Sequence, residues 1–246
     1  MPQPIEIAED LIAVQLEAER KRIVARYSRR AQQGLSSRYL FTEPSVYMAL
    51  QEKERAMLHW IRSCGICPVE NKRLLEIGCG TGSDLLWFLR TGFVPENIVG
   101  NELLPERAVL AAKRLPTGCT LLHADALSLH LDNSAFDIVY QSTVFSSILD
   151  EQFQQRLAAR IWRWLRPGGG VLWYDFVCNN PRNLDVRGIP LKRIPRLFPQ
   201  GRVRSWPITL APPISRLVTS IHPSLYTLCN TLPLLRTHAL CWIEKA

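Results

Sequence analysis

The stretch Leu74-Leu-Glu-Ile-Gly-Cys-Gly-Thr-Gly82 decides the fold of this 246-residue chain. Leu74–Ile77 is a short, mostly apolar run of strand length, glycines follow at 78, 80 and 82, and a helical pattern begins near Ser83. Glycines at alternate positions permit backbone turns closed to other residues and let a ligand approach the main chain. They do so beside a helix start whose free N–H groups favour polar or anionic atoms. Alone, such a loop is weak evidence, since a buried strand followed by glycines could also be a simple tight turn.

Downstream of the loop, strands and helices alternate. Ile98–Gly100, Cys119–His123, Phe136–Tyr140 and Val171–Phe176 read as further short strands. The helices between them have apolar faces at Leu104, Ala108, Ala111 and Leu115, and at Phe153, Leu157, Ile161 and Leu165. This alternation predicts an α/β fold: a Rossmann-like, mostly parallel sheet with helices on both faces and ligands at the carboxyl ends of the strands. Arg202–Leu210 and His238–Ile243 read as a closing antiparallel pair, making seven strands. Upstream, Ile7, Leu11, Val14 and Ala18, then Val46, Leu50, Met57 and Ile61, predict two amphipathic helices. Residues 1–70 are thus expected to be a helical N-terminal extension forming part of a substrate cap, and 71–246 the ligand-binding domain. Residues 20–30, between the two apolar patterns, hold six basic and no acidic side chains and read as a solvated helix face.

A composition of 47% hydrophobic and 21% charged residues excludes disorder, collagen-like repetition and coiled coil. Thirty basic against 22 acidic residues leave a net charge of +8, which favours anionic partners without naming one. Residues 1–10 lack the basic start and apolar run of a secretory signal, and seven scattered cysteines suit free thiols, so a cytoplasmic protein is expected. Cys64 and Cys67 form a lone CxxC with no second pair or clustered histidines, so no metal site is expected. Residues 217–235 carry no formal charge over nineteen positions, but two prolines, Asn230, His222 and several hydroxyls interrupt the apolar run. They read as a partly buried helical segment or an interfacial surface; no transmembrane segment is expected, and peripheral membrane contact stays open.

Two acids complete the constellation. Glu102 follows the second strand, twenty residues after Gly82, where a carboxylate can accept from ribose hydroxyls. Asp125 follows the third, where an acid can accept from an adenine amine. With LLEIGCGTG (74–82), VGNELLPERA (99–108), HADAL (123–127), FDIVYQS (136–142) and LRPGGGVLWYDF (165–176) in order, the sequence resembles the class I S-adenosylmethionine-dependent methyltransferases over roughly residues 73–243. The resemblance implies S-adenosylmethionine as cofactor and S-adenosylhomocysteine as product. It places Glu76, Gly78, Gly80 and Gly82 around the methionine part, Glu102 with Leu103 at the ribose, and Asp125 with Ala126 at the adenine. Gln141 and Ser142 would lie beside the methyl sulfonium, and Pro167-Gly-Gly169 would turn into the fifth strand. A nicotinamide dinucleotide enzyme is disfavoured, because its third glycine would fall at Ser83.

Methyl transfer is an in-line displacement at an already activated carbon, so positioning can supply most of the catalysis and a base is needed only when the acceptor must lose a proton. Asp175, ending the fifth strand, is the candidate catalytic base, while His123, His130 and His222 read as structural or exposed. Tyr39, Tyr47 and the Phe145-Ser-Ser147 segment are candidates for the acceptor side. Residues 182–216 hold seven arginines and one lysine against Asp185, and Arg182 and Arg187 are candidates for an anionic substrate. The motif that accompanies base-amine methylation, Asn/Asp-Pro-Pro-Tyr/Phe, is replaced here by Gln141-Ser-Thr-Val144, and no RNA-binding motif accompanies the basic charge. The NNPRNLDVRG and TLAPP stretches are similar to those of bacterial polysaccharide and natural-product methyltransferases. The expected reaction is therefore methyl transfer to a small-molecule or glycan acceptor, favouring oxygen. A nucleoside-binding subunit without turnover, or an RNA methyltransferase, are the alternatives.

Overall fold

The computed structural model describes residues 4–32, 40–179 and 183–246, so Tyr39 and Arg182 lie outside the described residues. Two helices, α1 (Pro4–Gln32) and α2 (Pro44–Ser63), precede β1 (Leu74–Ile77). There follow α3 (Ser83–Arg90), β2 (Ile98–Glu102), α4 (Pro105–Arg114), β3 (Thr120–His123), β4 (Phe136–Ser142), α5 (Glu151–Trp164) and β5 (Leu165–Phe176). The chain ends with α6 (Ile194–Leu197), β6 (Gly201–Leu210), α7 (Pro212–Ile221), α8 (Ser224–Asn230) and β7 (Arg236–Lys245). One seven-stranded sheet results, in the order β3-β2-β1-β4-β5-β7-β6. The first five strands are mutually parallel, and β7 runs antiparallel between β5 and β6.

Burial on both faces explains why β1 reads as a nearly unbroken apolar run: all four of its residues are buried. Leu75 and Ile77 face a core with Val139, Val171 and Trp173, completed by Phe153, Leu157, Ile161 and Trp164 of α5. Leu74 faces the opposite core with Ile138, Leu172 and Trp242, covered by Met57, Trp60 and Ile61 of α2 and Leu85 and Phe88 of α3. Alternation therefore directs Glu76 to the α2/α3 side. Local chemistry sets the helix starts. Asp150 accepts the Phe153 N–H at 2.7 Å to cap α5, while Pro44, Pro105 and Pro212 open α2, α4 and α7, where a missing N–H costs nothing.

Of the boundaries that differ from the sequence expectation, three involve residues singled out above. Glu102 lies inside β2, paired with His123, and Gln141 and Ser142 lie inside β4, because ladder pairing is indifferent to the polarity that ended the apolar runs. The Pro167-Gly-Gly169 segment is the irregular start of β5 rather than a separate turn. The β4–β5 register shifts there, and a Cβ at Gly169 would stand 2.6 Å from the Asp137 carbonyl oxygen. The basic run 20–30 lies within α1, and its solvated-face reading fails at Arg26. That side chain is buried, bonding Glu19 at 2.7 Å and the Ser147 carbonyl at 2.9 Å.

Candidate active site

The carboxyl ends of β1 to β4 enclose a cavity. Its floor and walls include Gly78, Glu102, Leu103, Asp125, Ala126 and Ser142. Those six are among the residues singled out from the sequence, brought together from four strand ends. Asn101 also lines the cavity and is fixed by donating to the carbonyls of Leu122 (3.2 Å) and Ala124 (2.8 Å).

Glu102 organises the loop. Its carboxylate, only 4% exposed, accepts the Gly80 N–H and the Leu104 N–H, both at 2.8 Å, tying the glycine loop to the start of α4. A carboxylate offers about four acceptor positions, so capacity remains for hydroxyls of a ligand. Asp125 accepts the Leu127 N–H at 2.9 Å and so caps a short 3-10 turn at the cavity edge. At Gly78, φ is +66° and a Cβ would lie 2.7 Å from Val144 Cγ2, so this point of the wall requires glycine.

Glu76, Gly80, Gly82 and Gln141 are not on the cavity wall. Gly80 and Gly82 shape the loop through positive φ, and Gly82 forms the left-handed N-cap of α3. Gln141 is fully buried; its Oε1 accepts the Val144 N–H at 2.9 Å and its Nε2 donates to the Tyr174 carbonyl at 3.4 Å, so it shapes the turn after β4. Glu76 is buried behind the loop, and its Oε2 has no hydrogen-bond partner among the described residues. Burial, reinforced by the nearby Asp84 charge, holds its carboxyl well above the usual carboxylate range.

The acceptor-side candidates fare differently. Phe145 is fully buried, its ring 4.5 Å from Trp173, and so is a core residue; Ser147 from the same segment does line the cavity. Tyr47 is 41% exposed and packs edge-on against Phe41 at 5.2 Å, away from the cavity wall. Arg187 is engaged with the Leu149 carbonyl at 2.7 Å and Glu151 at 3.4 Å, so it ties down its own loop instead of awaiting an anion.

Asp175 is 1% exposed and off the cavity wall, accepting the N–H groups of Ser146 (3.1 Å) and Phe176 (2.9 Å). This makes it a positioning residue for the segment that carries Ser147. Burial outweighs those bonds and raises its pKa to about 7. The raised value means that its stabilising contribution is complete below the unfolded carboxyl's 3.8 and is lost as pH rises through about 7. Against Asp175→Asn, the wild type should therefore lose up to roughly 4 kcal/mol across that window in chemical denaturation. A difference between the two proteins that stays constant with pH would contradict this assignment.

Several site residues escaped the sequence reading. Ile23 and Tyr27 of α1 line the cavity, and Arg107 of α4, also on its wall, sits over the Tyr27 ring at 4.6 Å. Their i,i+4 spacing within the basic run was the available signal. Behind the loop, Lys53 of α2 contacts both oxygens of Asp84 at 2.7 and 2.8 Å, and Tyr140 donates to the same carboxylate at 2.8 Å. No pattern in the chain links positions 31 and 56 residues apart.

Residues 74–169 match the family model described as a methyltransferase domain. The chain is 32% identical over 135 residues to the phthiotriol/phenolphthiotriol dimycocerosates methyltransferase of Mycobacterium leprae, an alignment covering 54% of this chain and 48% of that protein. It thus spans about half the length of the first curated relatives it matches. Among solved structures, an S-adenosylmethionine-dependent methyltransferase of Thermotoga maritima superposes with a TM-score of 0.60 at 17% identity, over 90% of this chain and 99% of that one. The Haemonchus contortus phosphoethanolamine N-methyltransferase 2, solved with phosphomonomethylethanolamine and S-adenosylhomocysteine, superposes with a TM-score of 0.55 at 16% identity, over 79% of this chain and 52% of that one. Residues 74–169 thus match a methyltransferase domain, and the sheet as a whole has the fold of solved S-adenosylmethionine-dependent methyltransferases.

Proposed function

We propose that this protein transfers a methyl group from S-adenosylmethionine to a small-molecule acceptor, with an oxygen atom favoured and a glycan within the same class. The observation that carries the reading is the convergence of Gly78, Glu102, Leu103, Asp125, Ala126 and Ser142 on one cavity. The residues present fit the cofactor. Glu102 retains acceptor capacity for ribose hydroxyls, Asp125 stands where an adenine amine can donate to it, and Leu103 and Ala126 supply apolar walls for a flat base. The unpartnered Glu76 Oε2 behind the glycine loop is an acceptor that an ammonium group would satisfy.

When bound, the cofactor supplies a methyl carbon activated by positive sulfur for in-line displacement. The chain's task is orientation and exclusion of water. Glu102 holds the sugar and fastens the loop, the Ser142–Val144 turn forms the wall towards the acceptor, and Gln141 and Asp175 fix that turn from behind. Within the N-terminal extension, α1 acts as the cover: Ile23 and Tyr27 close one side of the cavity and Arg26 anchors the helix, whereas α2 packs against the opposite core. Arg107 is the cationic group on the cavity wall that suits an anionic acceptor, a role Arg187 gives up to Glu151. The relative and the solved neighbour whose names specify phthiotriol lipids and phosphoethanolamine support a small-molecule acceptor over RNA.

Calorimetry with S-adenosylhomocysteine tests the donor half: saturable binding is expected, weakened roughly tenfold or more by Asp125→Ala through loss of a charged hydrogen bond. Transfer of labelled methyl into fractionated small molecules, glycans and RNA from the source cell tests the acceptor half. Absence of saturable uptake, or label confined to RNA, would overturn the proposal.

A further inference from the structure

The segment joining β6 to β7 is built inside out. In α7, Ser215 and Thr219 are buried, while Leu217 and Ile221 are 65% and 73% exposed. The buried polar face is internally satisfied: Thr219 donates to the Ser215 carbonyl at 2.7 Å, and Ser215 donates to the Ser45 carbonyl of α2 at 3.4 Å. The apolar stripe at i and i+4 therefore faces outward, the reverse of a helix on a water-facing domain. Leu228 at 65% and Leu234 at 98% exposure continue the surface through and beyond α8. The scaffold beneath is firm, since Tyr226 and Asn230 of α8 both donate to Glu52 of α2 at 2.6 Å.

Position and charge say what such a surface meets. Strand β6 is antiparallel to β7, and β7 to β5, so β6 runs parallel to β5 and its carboxyl end lies at the edge of the sheet where the cavity opens. The exposed Phe41 and Tyr47, beside and at the start of α2, lie at this edge too. Scattered exposed leucines would be unremarkable in a protein surface, but half of the sixteen exposed large hydrophobic side chains among the described residues fall within residues 40–47 and 211–235. No acidic residue occurs from Val186 to Ile243, and Arg216 is exposed beside Leu217. The α7–α8 part of this surface carries only positive charge, with the exposed Glu43 confined to the segment before α2, and so complements an anionic lipid surface. No helix among the described residues is long and apolar enough to cross a membrane, so the surface can lie on a bilayer without spanning it.

We propose that the α7–α8 cap docks this protein onto the interface of an anionic phospholipid bilayer, with Leu217, Ile221 and Leu234 entering the acyl boundary and Arg216 meeting headgroups. A cavity opening at the same end would then receive an acceptor resident in the membrane. The docking itself stands apart from the methyl-transfer reading, because it is measured without cofactor.

The test is co-sedimentation of the full chain with sucrose-loaded vesicles of pure phosphatidylcholine and of equimolar phosphatidylcholine and phosphatidylglycerol. Binding is expected to the anionic vesicles and to weaken with salt. The double variant Leu217→Gln, Leu234→Gln should bind ~tenfold more weakly or less, since each leucine loses apolar burial. Both positions are exposed, so an unchanged melting temperature verifies folding, and Ile221→Gln serves in place of either change that lowers it. Wild type that stays in the supernatant, or a double variant that sediments as wild type does, overturns the proposal. A dimer in light scattering that the double variant converts to monomer also overturns it, assigning the ridge to a second copy.

Discussion

Replacing Glu102 by alanine is expected to weaken S-adenosylhomocysteine binding by roughly tenfold to a hundredfold, because a charged acceptor for the ribose hydroxyls is worth about 1.5–3 kcal/mol and two backbone donors that shape the loop are left stranded. The stranded donors are the N–H groups of Gly80 and Leu104, which this one carboxylate holds at 2.8 Å each. Without it, the glycine loop loses its tie to the start of α4, and the ribose position loses its acceptor. Glu102→Gln separates these effects: an amide can accept from one N–H but presents a donor to the other, so its loss should be intermediate. Calorimetric titration of both variants, with circular dichroism to confirm folding, reads the difference. Affinity in Glu102→Ala equal to that of wild type would remove Glu102 from the site and take the ribose assignment with it.

Lys53→Met is expected to produce the largest loss of stability of any single change near the site. Lys53 and Asp84 are about nine-tenths buried, with side-chain exposures of 10% and 14%, and Lys53 is the cation facing Asp84 while Glu76 is buried close by. Removing one partner of a buried pair costs about 3–5 kcal/mol because the other charge stays buried and uncompensated. For a chain of this size that corresponds to a fall in melting temperature of roughly 10 °C. Acid should partly rescue the variant. The Glu76 carboxyl already titrates above its ordinary value through burial, a group of this kind stabilises below its unfolded pKa and loses that contribution as pH rises, and removing a nearby cation moves it further in the same direction. The melting deficit relative to wild type should therefore grow from mildly acidic to alkaline buffer. An equal deficit at every pH would mean that the lysine contributes packing alone.

The fold was legible because its signals are local. Four residues of β1 buried on both faces leave an apolar run in the chain, and the helix that starts at Ser83 is announced by three glycines with positive φ. The place of Glu102 and Asp125 on the cavity wall was legible because strand ends in a parallel sheet all point to one edge, where acids that follow successive strands come together. Phe145 and Asp175 were misread for a common reason: sequence places a residue after a strand but does not say on which side its chain turns. Here both turn inward, to Trp173 and to the Ser146 N–H. Arg187 was misread because its partner Glu151 lies on another element, and charge pairing across elements leaves no periodic trace.

By itself, then, the order of residues determined the parallel sheet, its antiparallel closure and the identity of the cavity-facing loop, since each follows from periodicity, glycine placement and strand-to-helix succession within a few tens of residues. Tertiary structure alone decided that α1 closes the cavity through Ile23 and Tyr27, that Lys53 answers Asp84, and that α7 turns its serine and threonine inward and its leucine and isoleucine out. The physical reason is that an amphipathic pattern defines two faces of a helix without assigning either to the interior. That choice is made by what waits on the other side, here the Ser45 carbonyl of α2, which accepts from Ser215, where an apolar core would ordinarily stand.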